Sequence, residues 1–398
     1  MRRICLIPLL LIAPMASAQP QDAAQGGQNV VVTGTRIQDF RDRLAACLAR
    51  HCPVNEDVDA TLALAEVLFI AGDYRGAHST IRSSIGRNRQ HRSAFPEPVS
   101  DLYRANSRVA RNIGMDSEAQ ASTREILYAL QAGIPTEDYR HFTARLEIAQ
   151  SEVAFGQYDA ARRDLSRLAQ LARAAGRNDV VAVTELRTLW IDYLESRSHA
   201  VPPRLLEMAR WTDPARRLSS VGAKVLLVRI YSEREETDRA NAIIAELGRM
   251  GGSRQLLFNP PFELALHEIG LPASTDGSAM LQNVNSRTSI SFENKWIEVG
   301  YWIQPDGRVS DLEIVRRGRG SGGWEAPLLE SIRGRRFSTA GDSTYRLERY
   351  TLTAGYENRS GSHITQRSPL ARLEYFDLTG VEPDRAQPMP PSGPNPAQ

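Results

Sequence analysis

Three glycines, Gly72, Gly114 and Gly156, stand 42 residues apart. Each is followed five residues later by an alanine (Ala77, Ala119, Ala161) and preceded by seven by a small residue (Ala65, Ser107, Ala149). Two have a tyrosine two residues on, Tyr74 and Tyr158; the third has Asp116. Glycine lets a chain reverse sharply, because positive φ costs it nothing sterically. The alanine lets two helices approach closely. The pattern predicts helix, tight turn, helix, recurring along the chain, with each hairpin burying its faces against its neighbours. Apolar residues three and four apart, as at Leu62, Ala65, Leu68 and Phe69, give the core-facing stripe. Residues 58–71 are expected to pair with 74–87, 99–113 with 117–130, and 136–155 with 158–175. Thr136 is the expected N-cap of the last of these first helices. Two less regular pairs follow, 179–195 with 203–210, and 213–231 with 237–250. The last opens on Asp213-Pro214, an N-cap followed by proline at the first helical position.

A small residue, then Gly, an aromatic, Ala and two further core positions (Ile81 and Ser84, Thr123 and Ile126, Leu165 and Leu168) resembles the tetratricopeptide repeat. That family repeats at about 34 residues, so the longer period here makes the chain TPR-like. The resemblance implies an α-solenoid of helical hairpins over residues 40–270, a surface for protein partners.

The amino terminus reads as an export signal. Arg2 and Arg3 precede an apolar run over 4–13, and Ala16-Ser17-Ala18 fits a small-residue cleavage site. Residues 1–18 are expected to be removed near Ala18 and the protein delivered to the periplasm. Residues 19–39 form a polar leader, and no later stretch is long and apolar enough to span a bilayer. The formal charge of +2 falls to zero without Arg2 and Arg3, which argues against nucleic acid as a partner. Cys5 leaves with the signal. The remaining pair, Cys47 and Cys52, is expected to form a disulfide in an exported chain.

A polar linker, 271–287, separates the helices from a second domain, 288–380, and a Pro-rich tail, 381–398, ends the chain. In the second domain Ile297, Val299, Tyr301 and Ile303 alternate as one face of a strand. Gln304-Pro305-Asp306-Gly307 is a turn, 308–316 a second strand, 327–333 a short helix and 345–356 a long strand; 372–378 offers one more. The run Val299-Gly-Tyr-Trp-Ile303, Pro305-Asp-Gly-Arg-Val309, Ser321-Gly322, Leu328-Leu-Glu-Ser-Ile-Arg333 and Arg335-Arg-Phe337 resembles the C-terminal domain of TonB-family energy transducers. The resemblance implies a ββαβ fold whose last strand offers a free edge to a receptor peptide. By position that edge is Tyr350, Thr351, Leu352, Thr353 and Ala354; the alternative is a strand that only completes the sheet. Val31, Val32, Thr33, Gly34, Thr35 and Arg36 form a β-prone island similar to the "VVTGTR" segment of TonB-dependent receptors. The resemblance makes it a TonB-box-like peptide; the plainer expectation is a short strand packed on the first helices.

The sequence presents no reaction centre. His51, His78, His91, His141, His199, His267 and His363 are scattered without metal-ligand spacing, and Glu263 with His267 is too small a set. There is no phosphate-binding glycine loop and no nucleophile elbow. No metal, cofactor or enzymatic activity is expected. Arg316, Arg317, Arg319, Arg333, Arg335 and Arg336 form a basic cluster, read as a solvated face or as a site for an acidic partner. The fold expected is mainly α, a TPR-like solenoid with a small C-terminal α+β domain. The function expected is a periplasmic protein-interaction scaffold of the TonB and outer-membrane receptor system. The alternatives are an envelope assembly scaffold without a TonB role and an atypical energy transducer.

Overall fold

The computed structural model describes residues 29–196, 200–249, 292, 295–318, 324–338, 341–358 and 365–379. The expected signal, the linker at 271–287, the Pro-rich tail and the Glu263–His267 pair lie outside the described residues.

The periodic glycines do what their spacing demands. Helices α1 (Asn29–Ala49), α2 (Val54–Ile70), α3 (Tyr74–Asn88), α4 (Pro96–Asn112), α5 (Asp116–Gln131), α6 (Tyr139–Ala154), α7 (Tyr158–Ala174) and α8 (Asn178–Glu195) run as successive packed pairs. Gly72, Gly114 and Gly156 adopt φ of 86°, 77° and 70°. After each glycine the same bond closes the turn: Asp73 N to Leu68 O, Met115 N to Ala110 O, Gln157 N to Glu152 O, at 2.8–2.9 Å. This six-to-one bond satisfies a carbonyl the helix would otherwise leave open. Ala77, Ala119 and Ala161 are fully buried where paired helices cross. Ser107 sits beneath the second crossing, its Oγ 2.7 Å from Thr123 Oγ1. The later pairs bend the rule. α9 (Pro203–Ala209) is short and packs on α10 (Arg217–Glu233), which pairs with α11 (Thr237–Arg249). In their turn Glu235 takes the positive-φ position at 59°.

Three local expectations change. The N-cap before α6 is Asp138, which accepts from Arg140 N at 2.9 Å, while Thr136 donates to Glu137. Val31, Val32, Thr33, Gly34, Thr35 and Arg36 are helical and not extended, as the first turns of α1. Strand propensity in an isolated stretch is a weak prior, and extending an existing helix adds a bond per residue without a new nucleation cost. Cys47 and Cys52 are joined as a disulfide, with Cα atoms 5.1 Å apart. His51, at φ 53°, turns the chain between them, and Glu56 beside the sulfurs pairs with Arg50.

The carboxy-terminal module follows the order β1 (Trp296–Ile303), β2 (Val309–Arg317), α12 (Glu325–Arg333), β3 (Thr344–Asn358), β4 (Thr365–Asp377). All strand pairs are antiparallel, in the sheet order β2-β1-β3-β4. One face carries Ile297, Val299, Tyr301, Ile303, Tyr350, Leu352 and Ala354 against Trp324, Leu328 and Ile332 beside and within α12. The opposite face is buried as well, because it lies on the turns of the helical hairpins. Trp296 and Phe376 join the α2–α3 core beside Phe69 and Tyr74. The Phe69 and Phe376 ring centroids are 5.2 Å apart, and Tyr74 Oη meets Thr351 Oγ1 at 2.9 Å.

Arginines make this junction. Arg349, 1% exposed, donates to the carbonyls of Phe69 and Ile70 at the end of α2 and pairs with Glu298, which is fully buried. Its guanidinium lies 4.5 Å from the Trp296 ring centroid. Arg316 also donates to Ile70 O, at 2.9 Å, and pairs with Glu298. At the end of α4, Arg367 donates to Ile113 O and Arg372 to Arg111 O, while Arg372 also grips Asp116 at the start of α5. Cations at the carbonyl end of a helix satisfy open acceptors and oppose the dipole there.

Candidate functional site

The sheet does not leave open the edge the sequence suggests. Tyr350, Thr351, Leu352, Thr353 and Ala354 lie inside the sheet, opposite residues of β4 from Tyr375 to Ala371 on one side; Tyr350 and Thr351 also pair with Ile297 and Trp296 of β1 on the other. The physical reason is the length of β4. The sequence pattern offers a short strand at 372–378, but the ladder starts at Thr365 and covers β3 along this whole stretch. The basic cluster also disperses. Arg335 is buried on Glu348 at 2.7 Å, Arg316 faces the helices, and Arg333 pairs with Glu330 in α12. Arg319 lies outside the described residues. Around Glu348, Tyr350 and Tyr375 hydroxyls donate to the carboxylate, and Arg335 reaches Tyr301 and Tyr350. Burial pushes the phenols of Tyr301, Tyr350 and Tyr375 well above the usual tyrosine range, with the Glu348 charge adding to it. Tyr301, Glu348 and Tyr350 are buried, Tyr375 is half-exposed, and the network ties β1, β3 and β4 together.

What the structure opens is a groove of about 780 Å³ between α4, α6, α8 and β4. Arg104, Arg108 and Arg111 share one face of α4 at helical spacing and line it. Gln150 and Ser151 of α6, Arg187 and Trp190 of α8, and residues Leu373 to Phe376 of β4 complete the walls. Four arginines face two carboxylates, Glu147 and Glu374, in a chain whose total charge is nearly balanced. Arg104 pairs with Glu147 and Asp101, and Arg111 with Glu374. Arg108 stacks over the Phe376 ring at 5.8 Å. Neither Arg108 nor Arg187 has an ion pair among the described residues. The surrounding wall desolvates Arg187 enough to lower its pKa, although its side chain still reaches solvent. Trp190 stacks on Tyr193 at 5.8 Å and lies under Arg229.

A second cleft, about 1100 Å³, sits between the Gly72 and Gly114 turns and the sheet, bordered by Arg75, His78, Arg317, Tyr356 and Arg367. Arg367 is already committed there, to Ile113 O and to the Tyr356 ring at 4.0 Å. His78 is held by Glu118 at 3.0 Å.

Beside the groove, burial pushes the Glu152 carboxyl of α6 up to about 7, and the nearby Asp164 charge adds to the shift. A carboxyl whose pKa rises from 4.5 on folding is bound more tightly as the neutral acid. Its contribution to stability is therefore full below 4.5 and is lost as pH rises through about 7. Glu152→Gln is expected to flatten the fall in melting temperature between about pH 5 and pH 8. It is also expected to melt above the parent at the higher pH. Equal pH profiles of the two proteins would show that Glu152 ionises as an exposed carboxylate does.

No protein-family model matches this sequence, and no curated protein matches it. Among solved structures, the crystal structure of BtubC (BKLC) from P. vanneervenii aligns at TM-score 0.40 and 17% identity, covering 59% of this chain and 98% of that one. A chain from P. anserina described as a kinesin light chain with nearly identical TPR-like repeats aligns at TM-score 0.33 and 14% identity. It covers 55% of this chain and 89% of its own.

Proposed function

We propose that this chain is an exported, non-enzymatic scaffold that holds an extended segment of a partner protein in the groove between α4, α6, α8 and β4. The observation that supports this reading is the chain's own β4. It is an extended segment already held by helix surfaces: Phe376 lies between Phe69 and Arg108, Glu374 on Arg111, and Arg372 on Asp116. Toward α8 the groove continues with the same materials, the Trp190 ring and Arg187, which has no ion pair among the described residues. Aromatic and arginine side chains in a concave site are the usual anchors of polypeptide binding.

A photo-crosslinking residue placed at Gln150, on the groove wall, tests this in envelope extract. Crosslinks to polypeptide are expected in the parent and are expected to be lost in Arg187→Glu/Trp190→Ala. Crosslinking that survives this double change, or none in the parent, would sink the proposal. A second reading, partnership with TonB-dependent receptors, is favoured by the β1-β2-α12-β3 order. With the β3 edge filled by β4, such a partner is expected to lie in the groove beside β4. A receptor among the captured polypeptides would support that reading, and its absence would count against it.

A further inference from the structure

The ladder fixes which way the backbone of β4 points. Leu378 N donates to Leu347 O at 2.8 Å. In an antiparallel pair, bonded and non-bonded positions alternate. The pairs Arg349–Phe376, Thr351–Glu374 and Thr353–Arg372 therefore exchange the bonds between β3 and β4. The N–H and C=O groups of Ala371, Leu373 and Tyr375 are left pointing away from β3. Among the described residues no strand pairs with that outer edge.

The groove begins at this edge. Four consecutive residues, Leu373, Glu374, Tyr375 and Phe376, line it, although they alternate between the two faces of the sheet. Residues from both faces can border one space only where the strand meets it edge-on. Neighbouring strands lie about 4.8 Å apart, and α6 and α8 close the far side. A single added strand therefore extends the sheet by that spacing into the groove these residues line. An unprotected edge is a template for an added strand, and this one sits inside a walled groove.

We propose that the partner segment adds to the outer edge of β4 as a fifth antiparallel or parallel strand, with acidic side chains on Arg108 and Arg187 and apolar ones beside Leu373 and Tyr375. Backbone bonds to Leu373 and Tyr375 supply affinity, and alternate side chains supply selectivity. The helix-facing positions of such a strand continue the row of Glu374 and Phe376, so they face the arginines. The other positions continue the row of Leu373 and Tyr375, the latter 50% exposed at the rim. The inference rests on the reading of the groove as a polypeptide site.

The test uses the full chain and a fluorescein-labelled pool of decapeptides in which Glu alternates with Val, Leu, Phe or Tyr. The pool is expected to bind, with slowed amide exchange at Leu373 and Tyr375 and none added at Glu374, whose N–H is already bonded to β3. Methylating every second backbone nitrogen of the peptide is expected to weaken binding about tenfold in one phase of the alternation and little in the other. Arg108→Glu/Arg187→Glu is expected to weaken the unmodified pool by a similar factor. If both methylated series bind as the parent does while the arginine variant still weakens binding, strand addition is overturned and the groove reading stands. If the pool fails to bind, or the arginine variant binds it unchanged, both fall.

Discussion

Arg349→Ala is expected to cost about 3–5 kcal/mol, the usual result of removing one partner of a buried charged pair. The substitution removes one of the cations paired with the fully buried Glu298 carboxylate, leaving its pair with Arg316, and strips a donor from Phe69 O and Ile70 O. It also removes the cation that lies on Trp296. The loss should appear in urea unfolding as a lower midpoint, accompanied by a change in tryptophan fluorescence, to which Trp296 contributes as the sheet leaves the helix turns. Replacing both partners, as Glu298→Gln with Arg349→Met, is expected to recover part of the loss, because no lone buried charge remains. If Arg349→Ala costs less than about 1 kcal/mol, as an exposed pair would, the guanidinium does not join the two parts of the molecule.

The second large effect separates two glycines that look alike in the sequence. Gly156→Ala puts a β-carbon into open space, so it carries only the strain of positive φ, roughly 1–2 kcal/mol. Gly114→Ala carries the same strain, but its β-carbon would overlap the Ala354 carbonyl oxygen and Arg367 Nη1. The overlap falls on the backbone of β3, which cannot swing aside as a side-chain tip can. A further 1–3 kcal/mol, roughly the cost of overpacking, is expected. Gly72 belongs with Gly114, since a β-carbon there would come within 2.9 Å of the Trp296 ring. Thermal unfolding of the two alanine variants side by side measures the difference. Equal losses would mean that the sheet does not bear on the Gly114 turn.

The helical half was legible because its signals are local and periodic. A glycine at positive φ, an alanine five residues on and apolar residues at helical spacing each act within one hairpin, and each is found where that spacing predicts. The strands β1 and β3 were legible for the same reason, through the alternation of Ile297, Val299, Tyr301 and Ile303 and of Tyr350, Leu352 and Ala354. The start of β4 at Thr365 was not. Nothing local to Arg367 and Arg372 says that helix carbonyls will take them. The helical start at Val31–Arg36 was not legible because the strand propensity of a short valine-rich run is a weak guide where the chain continues as a helix.

The groove was hidden for a related reason. Arg104, Arg108 and Arg111 are visible as one helix face, but Arg187, Trp190 and Leu373 lie in distant segments with no motif linking them. The sequence by itself determined the hairpins, their turns and the apolar face of the sheet, because those follow from backbone sterics and hydrophobic period within short windows. Tertiary structure alone decided that the polar face of the sheet would be buried on the ends of α2 and α4. That arrangement depends on guanidinium groups meeting open helix carbonyls more than 240 residues away, a match of geometry that no local pattern encodes.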